Sequence, residues 1–198
     1  MKFRKKRFNV SISLWNTIVP LLSGIAFLYI SSCIPVSTEQ KGLTTYEASN
    51  IIGYNNKPVI VDYYFLDSMN QLNYYAKQNH LTLFVTSSFR KANQKVNGAI
   101  VPPAKRSNHL AGHAIDMNIE SNGKWYDSKL MRRENLKNLP HNIQNFFNDI
   151  RKDKTLRWGG DFSRQDPVHI DDYLNKNHEA WQERFDIVQK KHLSNTYK

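Results

Sequence analysis

The chain has 198 residues, 40% of them hydrophobic and 23% charged, which suffices for one packed core, is short for two domains, and argues against a disordered polymer. The formal charge is +11, but five of the 28 basic residues stand in the first seven positions; the remaining 23 face 17 acidic residues, a moderately basic body that suits nucleic acid, anionic lipid or anionic cell-wall polymer, or is simply a solvated surface with no dedicated partner. The single cysteine, Cys33, excludes an intrachain disulfide and a metal site built on several cysteines, so any metal must be held by His and Asp/Glu.

Lys2, Arg4, Lys5, Lys6 and Arg7 precede an uncharged stretch over 10–36. This is the charge pattern of an export segment, with the positive end left on the cytoplasmic side. Two outcomes are open. The stretch is long enough to remain as one membrane-spanning helix. Alternatively, Ile30-Ser31-Ser32-Cys33 resembles a bacterial lipobox, in which Cys33 is acylated and becomes the new N-terminus. Either way the body is expected outside the cytoplasm, membrane-anchored on a periplasmic or outer face as a lipoprotein or single-span protein. Nucleic acid is then not expected as a partner.

Residues 37–56 are polar and read as a linker with one short helix over 45–52. Residues 59–65 are β-branched and aromatic, predicting a strand. Asp67 is placed to cap a helix over 68–79, with Met69, Leu72, Tyr75 and Ala76 on its core face. Residues 81–88 form the clearest strand and run into Arg90, whose planar fork at a strand end suits a carboxylate or polarised carbonyl. A short helix and loop are expected over 92–100, with Gln94 near Arg90.

Pro102-Pro103 breaks the chain before Ser107-Asn108-His109-Leu110-Ala111-Gly112-His113-Ala114-Ile115-Asp116. His109 is expected in a turn and 113–119 in a strand. A carboxylate inside an apolar strand is costly unless paired or metal-bound, which singles out Asp116. His113 stands four residues after His109, the spacing of a helical metal pair, but Gly112 and the β-rich run that follows disfavour a helix. His113 is therefore expected to be structural. Residues 134–153 read as helical, interrupted at Pro140, with Ile143, Phe146, Phe147 and Ile150 inward. Trp158-Gly159-Gly160-Asp161-Phe162 then reads as a cleft wall, and Asp166-Pro167-Val168-His169 brings a second carboxylate and a second imidazole. A last amphipathic helix is expected over 177–192.

His109, Asp116 and His169 offer three ligands and leave the fourth tetrahedral position of a Zn2+ ion for water. Asp166 is placed to take a proton from that water and return it to a leaving amine. Arg90 would steady the oxyanion or hold the substrate.

Ser-x-His-x-x-x-x-x-x-Asp over Ser107–Asp116, Trp158-Gly159-Gly160-Asp161, Asp166-x-x-His169 and the strand-end Ser87-Ser88-Phe89-Arg90 together resemble the zinc peptidases of bacterial cell-wall peptides. These are the D-alanyl-D-alanine carboxypeptidases and L-alanyl-D-glutamate endopeptidases, including phage endolysins. The resemblance covers about 59–172. It implies an α+β fold with a small antiparallel sheet under a zinc cleft. It also implies His109, Asp116 and His169 as zinc ligands, Asp166 as general base and acid, and Arg90 as a substrate contact. Ser107, Gln94 and Trp158 are expected at the substrate. Asp166-Pro167-Val168-His169 lacks the Glu-Trp that the carboxypeptidase branch places before its last histidine, and looks more like the endopeptidase branch. The expected layout is an anchor over 1–36, a linker over 37–56 and a monomeric peptidase domain over 57–198, acting on peptidoglycan stem peptides. The alternative is a non-catalytic module that binds such peptides on the same fold.

Overall fold

The computed structural model describes residues 41–95 and 104–195, with side chains described as far as residue 190. The expected anchor over 1–36, Cys33, Pro102-Pro103 and most of the helix expected over 92–100 lie outside these residues. Among the described residues, no helix is long and apolar enough to cross a membrane.

Strands β1 (Leu43–Tyr46) and β2 (Ile51–Gly53) come first. They correct one expectation, since no helix forms over 45–52, and they draw part of the stretch expected as a linker over 37–56 into sheets. β1 pairs antiparallel with β3 (Val59–Asp62), which buries Val59 and Val61. β2 pairs parallel with β4 (Thr82–Ser87). Thr44, Thr45, Ile51 and Ile52 suit a pleated surface, and the available partner strands decide the outcome over weak local helix preference. Helix α1 (Leu66–Gln78) buries Met69, Leu72 and Ala76 as the 3.6-residue period predicts. Asp67 lies in its first turn rather than capping it. Asp62 caps the preceding 3-10 turn instead, by accepting from the Tyr64 N–H.

The larger sheet has the order β2-β4-β5-β8-β7, with β6 also paired to β5. Its centre is β5 (Ala114–Ser121), antiparallel to β4, to β6 (Lys124–Tyr126) and to β8 (His169–Asp171). β7 (Arg157–Trp158) pairs antiparallel with β8. The sheet is therefore antiparallel except for the parallel β2–β4 pair, and the fold is mixed α+β.

Alternation along β5 divides its side chains between two faces. Ile115, Met117 and Ile119 point into the core; Asp116, Asn118 and Glu120 lie on the other, half-exposed face. The core face meets α1 and the next long helix, α3 (His141–Lys152), which buries Ile143, Phe146, Phe147 and Ile150. Each such side chain contributes about 1.5–3 kcal/mol on burial. The segment before Pro140 is a 3-10 turn over Arg133–Asn138, so the helix expected over 134–153 begins only at His141.

Helix α2 (Asn108–Ala111) is one turn long and carries His109, which had been expected in a turn. It ends at Gly112, whose φ of 75° is left-handed and whose bare Cα lies against β3; a Cβ there would stand 2.7 Å from the Asp62 nitrogen. The last helix, α4 (His178–Asn195), packs on α2 and buries Trp181 and Val188, with Phe185 stacked on Trp181.

Candidate metal centre

Three elements bring His109, Asp116 and His169 together: the helical turn α2, the middle of β5 and the first residue of β8. The pairing of β5 with β8 sets Asp116 directly opposite His169. His109 Nε2 lies 3.1 Å from Asp116 Oδ1, His169 Nδ1 lies 3.1 Å from the same oxygen, and the two nitrogens are 3.2 Å apart. The three residues form a group that could hold a metal ion, with one ligand atom from each within 4.8 Å of the others.

The outer contacts prepare these atoms for a cation. His109 Nδ1 donates to the Ser88 carbonyl at 2.8 Å, which leaves the Nε2 lone pair facing inward. His169 Nε2 donates to Asp171 Oδ2 at 2.9 Å, which does the same for Nδ1. Asp171 is held by both Nε and Nη2 of Arg157. A second partner of this kind fixes ring orientation and raises ligand basicity. In a tetrahedral set with bonds of about 2.0–2.1 Å, neighbouring ligand atoms are about 3.3 Å apart; the three edges here are 3.1, 3.1 and 3.2 Å. The donor set fits.

Burial alone would raise the pKa of Asp116, but the His109 and His169 rings outweigh it and hold the carboxyl far below its ordinary range. Burial likewise opposes an imidazolium at His169, yet Asp116 and Asp171 raise its pKa. A proton and a cation therefore compete for His169 Nδ1.

The group opens on a cleft of about 820 Å³. Asp166 lines it, and burial followed by the nearby Asp116 charge pushes the Asp166 carboxyl upward. Arg90 lines it as well, nearly buried, with its pKa lowered by burial and partly restored by Asp116. No side-chain hydrogen bond holds the Arg90 guanidinium among the described residues; its backbone N–H donates to the His109 carbonyl, tying the two residues together. Gly159 sets the turn between β7 and β8. A Cβ there would stand 2.4 Å from the Asp166 carbonyl and 2.9 Å from the His169 Cβ, so only glycine lets Asp166 and His169 close over it.

Ser107 and Gln94 also line the cleft. Trp158 does not, which corrects its expected place at the substrate. It is 1% exposed, stacks on Phe147 at 4.1 Å, and donates from Nε1 to the Pro167 carbonyl at 2.7 Å. Its indole supports the Asp166–His169 turn from below. His113 stands apart from the metal-facing group, between Asp172 and Asp62. Sequence reasoning passed over Arg157 and its bidentate hold on Asp171. The available signal was the alternation along β8, which places Asp171 on the side of His169.

The family model described as D-alanyl-D-alanine carboxypeptidase matches residues 102–172. The resemblance drawn from the motifs is shown over that stretch, which contains His109, Asp116, Asp166 and His169 but neither Arg90 nor Gln94. No curated protein matches the chain.

Proposed function

From this match to a peptidase family, we propose that the chain is a zinc-dependent hydrolase that cleaves peptide bonds in peptidoglycan stem peptides. The observation that carries the reading is the convergence of His109 Nε2, His169 Nδ1 and Asp116 Oδ1 at edges of 3.1–3.2 Å, with each ring's other nitrogen already committed. When bound there, zinc supplies Lewis acidity that acidifies a water and polarises a carbonyl.

The chain's own groups do the rest. Asp166 accepts the proton of the attacking water at its carboxylate and returns it to the amine nitrogen as the C–N bond breaks. Its raised pKa suits a group that must both take and release a proton. Arg90 places a cation beside the oxygen on which negative charge grows. Ser107 and Gln94 border the substrate at the same opening. The missing Glu-Trp before His169, with Trp158-Gly159-Gly160, favours an endopeptidase, whereas the matched family model is described as a carboxypeptidase, so fragment masses from the cleavage assay distinguish the two. Export and anchoring through 1–36, with Cys33 as the acylation site in the lipoprotein form, would deliver the monomeric domain to that substrate outside the cytoplasm.

The test is metal content and stem-peptide cleavage by the full chain beside Asp166→Asn. About one zinc per chain in both proteins, with cleavage lost in the variant, is the expected result. Zinc without cleavage in either protein would favour the non-catalytic binding module, and absence of zinc from both would refute the site.

A further inference from the structure

The face of β5 that carries Asp116 continues past the metal-facing group. Asn118 follows two residues on, about 7 Å along the strand, and also lines the cleft. Beyond it the sheet carries a ridge of rings. Phe84 is the register partner of Asn118, and Trp125 is the register partner of Glu120. The Phe84 and Trp125 rings meet at 4.7 Å, and Trp125 and Tyr54 at 6.0 Å. Ile52, paired with Phe84, completes the row. Tyr54, Trp125 and Ile52 are 42%, 38% and 39% exposed, although the sheet has a full core on its other side. Contiguous exposed rings of this kind mark a binding surface.

A built loop joins the ridge to the cleft. Tyr54 stands at one end of the 53–57 turn and Lys57, which lines the cleft, at the other. The Lys57 N–H donates to the Tyr54 carbonyl. Asn55 and Asn56 are both left-handed, with φ of 54° and 58°. A Cβ at Gly53 would fall 1.6 Å from the Lys57 carbonyl oxygen. Strained backbone of this sort gathers at ligand sites, and here it holds Tyr54 and Lys57 at one spacing.

We propose that the Tyr54–Phe84–Trp125 ridge binds a hexosamine ring of the glycan strand while the peptide attached to that sugar runs past Asn118 to the metal-facing group. The proposal rests on the peptidase reading and deepens it. A pyranose presents an apolar C–H face and a polar rim. The rings supply the complementary flat apolar surface, and Asn118 supplies a donor and an acceptor beside it; its side chain makes no hydrogen bond among the described residues. Asp116 and Asn118 line the same cleft, so one ligand there can touch both. The ridge lies about 7–14 Å from Asp116 along β5, the reach of roughly two to four extended residues. The bond cut would then lie near the sugar end of the peptide.

The experiment compares the full chain with a Tyr54→Ala/Trp125→Ala double variant. For each, kcat/KM is measured on glycan-linked stem peptide and on the same peptide freed from glycan. The ratio of linked to free is expected to fall about tenfold or more in the variant, through KM, as the loss of two stacking rings predicts. A tetramer of N-acetylglucosamine should compete with the linked substrate in the parent chain alone. An unchanged ratio, or a tetramer that does not compete, overturns the proposal. If the parent chain cleaves neither substrate, the peptidase reading fails separately. Calorimetry with the same tetramer then decides the ridge: binding lost in the variant upholds it, and no binding to the parent overturns it.

Discussion

Two clusters of histidine and aspartate lie on either side of Gly112, and they solve the problem of buried charge in opposite ways. In the clamp on the α4 side, His113 Nδ1 is 2.6 Å from Asp172, its Nε2 faces Asp62 at 3.7 Å, and Asp62 takes two hydrogen bonds from Arg184. Two carboxylates meet a guanidinium and an imidazolium, and the charge closes within the chain. In the metal-facing group, the Asp116 carboxylate meets two imidazoles as its hydrogen-bond partners among the described residues, and both have spent their other nitrogen on Ser88 and Asp171. Two ring nitrogens and a carboxylate oxygen then meet at edges of 3.1–3.2 Å, an arrangement that could hold a metal ion. The clamp brings its own cations; the group on the open face could take one from outside.

The largest effect is expected from Asp116→Asn. It should abolish metal uptake and lower peptide cleavage by on the order of 10³, since metal activation supplies several kcal/mol. The variant should remain folded, because the core face of β5 around Ile115 and Met117 is untouched. Elemental analysis and a melting curve together check both halves. Next in size is His113→Ala, expected to cost about 3 kcal/mol of stability by leaving Asp172 without its buried partner, while metal content and cleavage persist well below the midpoint. Denaturant unfolding beside a zinc assay reads this out, and equal loss of both would erase the distinction between the clusters.

The clamp also predicts a pH dependence. Burial alone would lower the His113 pKa, but Asp172 and Asp62 outweigh it and push it up to about 9, from 6.5 for a free histidine. A raised folded-state pKa contributes stability that is complete below about 6.5 and is lost as pH rises through about 9. Parent-chain stability should therefore decline across that window, by up to about 3 kcal/mol. His113→Ala should remove this part of the decline. The smallest effect is Asp171→Asn, which leaves all three ligands but loosens the hold on His169; a loss of about 10–100-fold in zinc affinity is expected in a competition titration. No change would mean that the Ser88 carbonyl and the His109 ring orient the site without help.

Much of this was legible residue by residue. Asp116 stood out because a carboxylate inside an apolar strand needs a partner. His109 and His169 followed from motif spacing, and the core faces of α1, α3 and α4 from periodicity. Other features were not legible locally. The 43–53 stretch lacks a strong period, and its strands exist because β3 and β4 present edges to pair with. Trp158 reads as a wall residue beside two glycines, yet the direction of a two-residue strand is set by its pairing with β8, which turns the indole onto Phe147.

The chemistry on offer is written in the residues themselves: the ligand types, Asp166 three residues ahead of His169, the apolar stripes and the glycine at 112. Which partners hold each histidine came from the tertiary structure. Gly112 already argued against a helical His109–His113 pair; the left-handed turn there sends one ring toward β8 and the other toward Asp62 and Asp172, partners that the sequence did not reveal. Asp62 comes from β3, and its partner Arg184 lies 122 positions away on α4. Contacts over such separations leave no trace in a local window, because strand pairing and helix packing set them only once the chain has closed on itself.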